Sequence, residues 1–84
     1  MNYLLDVNVL VAWGWTDHAD HVRVAKWLGG RMKDGTCGLL TSAIPQLGFV
    51  RVSVQRFRGQ ITPTEAGHVL AGMLRSLGKQ HAFL

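Results

Sequence analysis

One aspartate stands inside an apolar run near the start of the chain. The eight residues from Leu4 to Val11 read Leu-Leu-Asp-Val-Asn-Val-Leu-Val, and Asp6 is the only charged residue among them. A carboxylate enclosed by Leu and Val is costly to bury unless a cation or several hydrogen-bond donors meet it. If a short buried strand precedes it, Asp6 stands at the carboxyl end of that strand, where α/β sheets place their ligands. The alternative is an aspartate that caps the next helix, and the residues alone leave both interpretations open.

Two aspartates and two histidines come within a few residues of one another further along. Asp17, His18, Asp20 and His21 have the three- and four-residue spacings of side chains that meet on one helix face. Imidazole and carboxylate groups together can bind a transition metal. We favour the structural alternative, because aspartates stabilise a helix amino terminus and the histidines can remain partly exposed.

Three arginines form a basic stretch in the second half of the chain. Arg51, Arg56 and Arg58 could contact RNA phosphates, but a solvated face or pairing with an acidic protein segment explains them equally well. Phe57 lies among them and could stack on a base, although packing against the core or a partner is the favoured interpretation. His68 and His81 have no neighbours in the sequence that suggest chemistry.

The composition limits the class of protein. A chain of 84 residues forms one small domain, and 48% hydrophobic against 17% charged residues is apolar for that size. Part of this surface is therefore expected to be covered by a partner. A net charge of +4 favours an acidic partner, either nucleic acid or protein.

The residue content also indicates the compartment. The single cysteine, Cys37, excludes an internal disulfide and is expected as a small buried residue in a reducing compartment. No apolar run approaches the roughly 18 residues that span a membrane, and Asp6 interrupts the first apolar stretch, which argues against a signal peptide. The sequence therefore predicts a cytoplasmic protein with no membrane partner.

The first half of the chain predicts two strands and two helices. Residues 2–5 are expected as a short strand, and a helix comes next over residues 7–13 and ends near Gly14. Asp17 is expected to cap a second helix, which Gly29 and Gly30 weaken. Residues 38–41 predict a second strand, and Ser42 is a suitable cap for the segment after it.

The second half contains one ambiguous segment. Val50, Val52 and Val54 alternate with polar residues, which predicts a half-exposed strand, yet residues 47, 50 and 54 also share a helical stripe. The run Thr62-Pro63-Thr64-Glu65 is a clear helix start. That helix is expected to end at Gly78, with residues 81–84 as a third strand. The order of strands and helix pairs predicts an α/β protein with a parallel sheet.

Four segments resemble one known family in the same order along the chain. They are residues 4–10, residues 18–28 with His18-Ala19-Asp20-His21 and Trp27-Leu28, residues 40–42, and residues 46–52 with Gln46-Leu47-Gly48-Phe49. Together they resemble the PIN-domain family, specifically the VapC-type toxins of bacterial toxin–antitoxin systems, over essentially all of residues 1–84. The resemblance implies one PIN-like domain with a parallel sheet and helices on both faces. It also implies that the ambiguous segment is helical.

The resemblance further implies a function and a site. The family cleaves RNA as an endoribonuclease that depends on Mg²⁺ or Mn²⁺, and each toxin binds a cognate antitoxin protein. Asp6 matches the first metal-binding carboxylate, and Asn8 matches a polar neighbour that orients it. Thr41 or Ser42 stands where a hydroxyl can reach the site. Gln46 occupies the position of a family glutamate, so that Asp6, Asn8 and Gln46 are the implied catalytic residues.

Two departures from the family pattern reduce the expected activity. Gln46 brings no charge to hold a divalent cation, and the other family carboxylates would come after Leu84. The fold is therefore expected to be truncated, with about three strands and four helices, and metal-dependent cleavage to be impaired. The alternative is an inactive module for dimerisation and antitoxin binding. The first strand should then be unpaired on one side, so that the protein is expected to self-associate.

Overall fold

The computed structural model describes all of residues 1–84 as a small parallel sheet with four α-helices and one 3₁₀ turn. Most of the predicted elements are present, with bounds that differ by one or two residues. In chain order they are β1 (Asn2–Leu4), α1 (Val7–Gly14), α2 (His21–Asp34), β2 (Gly38–Thr41), α3 (Ala43–Arg56), α4 (Pro63–Leu77), the 3₁₀ turn (Gly78–Gln80) and β3 (His81–Phe83).

The three strands lie in the order β1-β2-β3 and are all parallel. Leu4 pairs with Leu40, and Thr41 pairs with Phe83. The predicted α/β class, with three parallel strands and four helices in a PIN-like arrangement, is confirmed. Strand β1 has a neighbour on one side only, so its other edge presents unpaired backbone groups.

The hydrophobic core lies against one face of this sheet. Leu5 and Leu39 point to that face and are 1% and 0% exposed. All four helices add buried side chains to the same cluster, namely Leu10 and Val11 from α1, Leu28 from α2, Phe49 from α3, and Leu70 and Leu77 from α4. Each residue of the cluster therefore contributes to a single core between the helices and the sheet.

The opposite face of the sheet is not covered by these helices. Leu4 is 61% exposed, Ala82 is exposed and Leu40 is half-buried. The physical reason is topological, because two right-handed crossovers that step in the same direction place their helices on the same face. The sequence predicted helices on both faces, whereas residues 1–84 supply helices to one face.

Local signals explain where most helices begin. The hydroxyl of Thr62 accepts a hydrogen bond from the backbone of Glu65, and the Glu65 carboxylate accepts one from the backbone of Thr62, which completes the predicted capping box of α4. The segment with alternating valines is helical, as the family resemblance implied. The prediction for α2 was wrong, since its cap position is Asp20 and not Asp17.

Helices α1 and α3 approach closely beside the carboxyl ends of the strands. Gly48 of α3 lies against the side chain of Val7 in α1, and a Cβ atom at position 48 would overlap it. Further along, the indole of Trp15 stacks on Phe49 with ring centroids 6.0 Å apart and contacts Phe57 edge-on at 4.7 Å. None of the four α-helices combines the length and the hydrophobicity that a membrane-spanning segment needs.

Candidate functional site

Asp6 lies directly after β1, at the carboxyl end of the sheet, and caps α1. Its Oδ1 accepts a hydrogen bond from the backbone nitrogen of Val9 at 3.0 Å. The side chain is exposed, and its Oδ2 has no hydrogen-bond partner within the chain. The capping interpretation of Asp6 is therefore confirmed. One carboxylate oxygen nevertheless remains free at the edge where parallel sheets bind ligands.

A buried hydroxyl at the carboxyl end of β2 connects side chains of three elements. Thr41, the last residue of β2, is 0% exposed, and its Oγ1 lies 2.8 Å from Nε2 of Gln46 in α3. The same oxygen lies 2.7 Å from Nε2 of His81, the first residue of β3. The amide oxygen of Gln46 accepts no hydrogen bond from the chain. It is accessible to solvent, because the only buried side-chain atom without a partner is Nε of Arg31.

His81 is a site residue that the sequence did not indicate. It lies 40 positions from Thr41, and the two come together because Leu39 pairs with His81 in the parallel register of β2 and β3. Only knowledge of that register would have revealed the contact, since 40 positions separate the two residues in the sequence.

Asn8 lies apart from the network around Thr41. It is exposed in the first turn of α1, and its side chain makes no hydrogen bond to Asp6. It lines a surface cavity of about 430 Å³ together with His18, Asp20 and Arg56. The structure thus places Asn8 close to Asp6 in sequence but shows no contact through which it would orient that carboxylate.

The histidines and aspartates before α2 have structural contacts. Nδ1 of His18 accepts a hydrogen bond from the backbone of Asp20 at 3.0 Å, and Nδ1 of His21 lies 2.9 Å from the carbonyl oxygen of Ala12. Asp20 pairs with Arg23 at 3.0 Å. These contacts agree with the favoured structural interpretation of this segment.

The basic stretch is divided by the fold. Arg51 and Arg58 are exposed, and Arg58 has a positive φ of 53° in the turn after α3. Arg56 instead pairs with Asp17 at 3.0 Å. Phe57 packs against Trp15, as the favoured interpretation predicted. Two of the three arginines are therefore available to an acidic partner.

The polar groups at the opposite, amino-terminal end of the sheet bind one another. Arg31 Nη1 donates to the Tyr3 hydroxyl at 3.3 Å, and this hydrogen bond raises the pKa of Arg31 above its ordinary value. Gln80 Nε2 donates to the carbonyl oxygens of Arg31 and Cys37 at 3.0 and 3.2 Å. Hydrogen bonds from the Thr36 hydroxyl and the Cys37 thiol lower the pKa of Asp34.

The residues at the carboxyl end do not by themselves fit a divalent metal. The chain contains no group of three or more His, Cys, Asp or Glu side chains that could hold one. Mg²⁺ prefers several oxygen ligands, usually with one or two carboxylates. Asp6 offers one free oxygen and Gln46 an uncharged amide, which is too little charge for such a site.

A parallel sheet with paired helical crossovers and a carboxylate at the end of its first strand is the arrangement of a PIN-like α/β protein without its remaining strands. No family model and no solved structure matches the chain.

Three curated proteins of Mycobacterium tuberculosis are similar to it in sequence. Ribonuclease VapC39 is 38% identical over 66 residues, 79% of this chain and 45% of the relative. Ribonuclease VapC44 is 43% identical over 72 residues, 84% and 49% of the two chains.

The third relative, Ribonuclease VapC38, is 39% identical over 83 residues, 96% of this chain and 55% of the relative. These similarities support the family that the sequence motifs suggested, since most of the chain is similar to VapC ribonucleases. The chain spans about half the length of the curated relatives it matches.

Proposed function

We propose that residues 1–84 form one PIN-like domain of a VapC-type endoribonuclease and that Asp6 is its metal-binding carboxylate. The observation that carries the proposal is the position of Asp6, at the carboxyl end of β1 with one oxygen free, in a chain similar to three VapC ribonucleases. Asn8 and Gln46 are the other proposed catalytic residues. The proposed substrate is RNA, and the proposed cofactor is Mg²⁺ or Mn²⁺.

The charge of the chain supports an RNA substrate. The net charge is +4, and Arg51 and Arg58 are exposed. Basic side chains of this kind contact phosphates without regard to sequence. Arg56 contributes less to such contact, because its guanidinium is already paired with Asp17.

The proposal includes impaired cleavage by the 84-residue chain. A metal site with one free carboxylate oxygen lacks the charge that a divalent cation needs, as the absence of an acidic cluster indicates. We expect the purified chain to bind Mn²⁺ weakly in calorimetric titration and to cleave RNA slowly or not at all with Mg²⁺ or Mn²⁺. Strong cleavage that EDTA abolishes would contradict the impairment.

Variants of Asp6 separate its two roles. Asp6→Asn keeps an oxygen for the cap, whereas Asp6→Ala removes the cap and should lower the free energy of unfolding by about 1 kcal/mol. If Asp6 is the metal carboxylate, Asp6→Asn loses residual cleavage and Mn²⁺ binding but stays as stable as the parent. Residual activity that survives Asp6→Asn would remove Asp6 from the site.

A second candidate function is association without catalysis. The free edge of β1 and the exposed Leu4 favour it, because unpaired apolar strands bind further chains. The proposed partners are a second copy of the chain and a cognate antitoxin, for which an acidic segment suits the net charge of +4. Light scattering tests the first of these, and a monodisperse monomer at micromolar concentration would contradict self-association.

A further inference from the structure

The direction of hydrogen bonding around Thr41 is constrained by its burial. Thr41 is 0% exposed, so its hydroxyl proton cannot be donated to bulk solvent. Two side-chain nitrogens lie within hydrogen-bond distance of its Oγ1, namely Nε2 of Gln46 at 2.8 Å and Nε2 of His81 at 2.7 Å. A hydroxyl has one proton to donate and two lone pairs that accept.

The orientation of the Gln46 amide determines what His81 must do. An amide nitrogen can only donate, so Gln46 Nε2 uses a lone pair of Thr41 and leaves the hydroxyl proton for His81. The Thr41 hydroxyl has no other hydrogen-bond partner, so Nε2 of the neutral His81 ring accepts its proton and the ring proton is on Nδ1. In this arrangement the carbonyl oxygen of Gln46 faces solvent.

A proton on Nε2 of His81 reverses the direction of both hydrogen bonds. The ring would then donate to Thr41, and the hydroxyl proton would need another acceptor at a position that solvent does not reach. The available acceptor is the oxygen of the Gln46 amide, which reaches Thr41 when the amide turns over. The NH₂ group of Gln46 then faces solvent instead of its oxygen.

We infer that His81 is a positioning residue that acts through Thr41 to select which end of the Gln46 amide faces solvent. With the proton on Nδ1, position 46 presents an acceptor, which suits a cation or a hydroxyl group. With the proton on Nε2, it presents a donor, which suits an anion such as phosphate. If the proposed function holds, His81 thereby sets the polarity of one wall of the RNA site.

No ionisable group forms a hydrogen bond or an ion pair with the His81 ring. Of the elements that pack against β3, β2 contains no ionisable side chain. Helix α4 and the 3₁₀ turn contain four ionisable side chains. All four are exposed and none forms a hydrogen bond with His81, namely Glu65, His68, Arg75 and Lys79. The protonation state of His81 is therefore expected to affect the Gln46 amide through Thr41 alone.

Nuclear magnetic resonance of the ¹⁵N-labelled chain tests the inference without RNA or metal. Ring nitrogen shifts report which nitrogen of His81 holds the proton, and side-chain amide signals report the contact of Gln46 with Thr41. We expect an unprotonated Nε2 in the neutral ring and an Overhauser contact between the Gln46 NH₂ and Thr41. That contact should be lost as His81 becomes doubly protonated.

Variants distinguish coupling through Thr41 from a general effect of pH. Thr41→Val removes the hydroxyl at similar volume and should abolish the response of the Gln46 amide. Thr41→Ser should preserve the response, and so should His68→Gln, which removes an exposed histidine of α4. Dispersed amide spectra verify that each variant is folded.

Three results would overturn the inference. The first is a neutral His81 with its proton on Nε2, and the second is a Gln46 amide that does not respond in the parent chain. The third is a response that survives in folded Thr41→Val. The parent titration decides the matter even if Thr41→Val does not fold. A failed cleavage assay leaves these measurements unaffected, so that the two proposals can fail separately.

Discussion

Two half-buried glutamines at opposite ends of the sheet show how differently its two ends are built. At the amino-terminal end, Gln80 donates to two backbone carbonyls, those of Arg31 and Cys37, at 3.0 and 3.2 Å. At the carboxyl end, Gln46 donates to one side-chain hydroxyl, that of Thr41, at 2.8 Å. The oxygen of Gln46 remains open to solvent.

The difference distinguishes a structural end from the proposed binding end. The Gln80 side chain donates to a backbone carbonyl of α2 and to the one directly before β2, which joins α2 to the starts of β2 and β3. Around Gln46, both Asp6 and Gln46 keep an oxygen without a protein partner. Free hydrogen-bonding capacity at the carboxyl ends of parallel strands is what a ligand requires.

Gly48→Ala tests how rigidly the carboxyl end is held. Because the new Cβ would overlap Val7, the residue after Asp6, α1 and α3 must separate. We expect the free energy of unfolding to fall by about 1–3 kcal/mol, the usual cost of overpacking. Urea denaturation measures it. Gly67→Ala in α4 is the matched control, since nothing lies near its Cβ, and it should instead stabilise by about 0.5–1 kcal/mol.

If Gly48→Ala is as stable as the parent, the approach of α1 and α3 does not determine the geometry of the carboxyl end. Gly67→Ala controls for the effect of helix propensity, because both changes replace a helical glycine by alanine, the residue with the highest helix propensity.

The two glutamines provide the direct test of the comparison. Gln80→Ala leaves two backbone carbonyls without their partner and should cost about 1–2 kcal/mol, since solvent reaches the half-buried site. Gln46→Ala removes one neutral hydrogen bond and should cost about 0.5–1 kcal/mol. Urea denaturation of both variants under the same conditions gives the two values. Equal losses would show that both ends are structural.

Local signals made part of the fold predictable. The capping box between Thr62 and Glu65 involves residues three apart, so the sequence alone specifies the start of α4. The start of α2 was predicted at Asp17, but that carboxylate pairs with Arg56 across the fold, and the helix begins after Asp20. A tertiary ion pair of this kind is invisible in a local pattern.

The candidate site was predictable only in part. Asp6 was recognisable because a charge in an apolar run needs an explanation, and its capping role could be stated from the residue type. The contact of His81 with Thr41 depends on the register of β2 and β3, which no spacing in the sequence reveals. The alternating valines in α3 suggested a strand and the stripe of residues 47, 50 and 54 suggested a helix, and only the family resemblance decided for the helix.

The smallest expected effect concerns acid stability at the amino-terminal end. Hydrogen bonds from the Thr36 hydroxyl and the Cys37 thiol lower the pKa of Asp34 in the folded chain. The charged carboxylate therefore stabilises the fold at pH values above the ordinary aspartate pKa of about 4. This contribution is lost as the pH falls through the lowered pKa of Asp34 in the folded chain. The effect is small because Asp34 is exposed to solvent.

We expect the stability difference between the parent and Asp34→Asn in urea denaturation to shrink between about pH 5 and pH 2. Thr36→Val, which removes the larger of the two hydrogen-bond contributions, should weaken that pH dependence. A difference that is constant over this range would show that Asp34 takes no part in holding the structural end together.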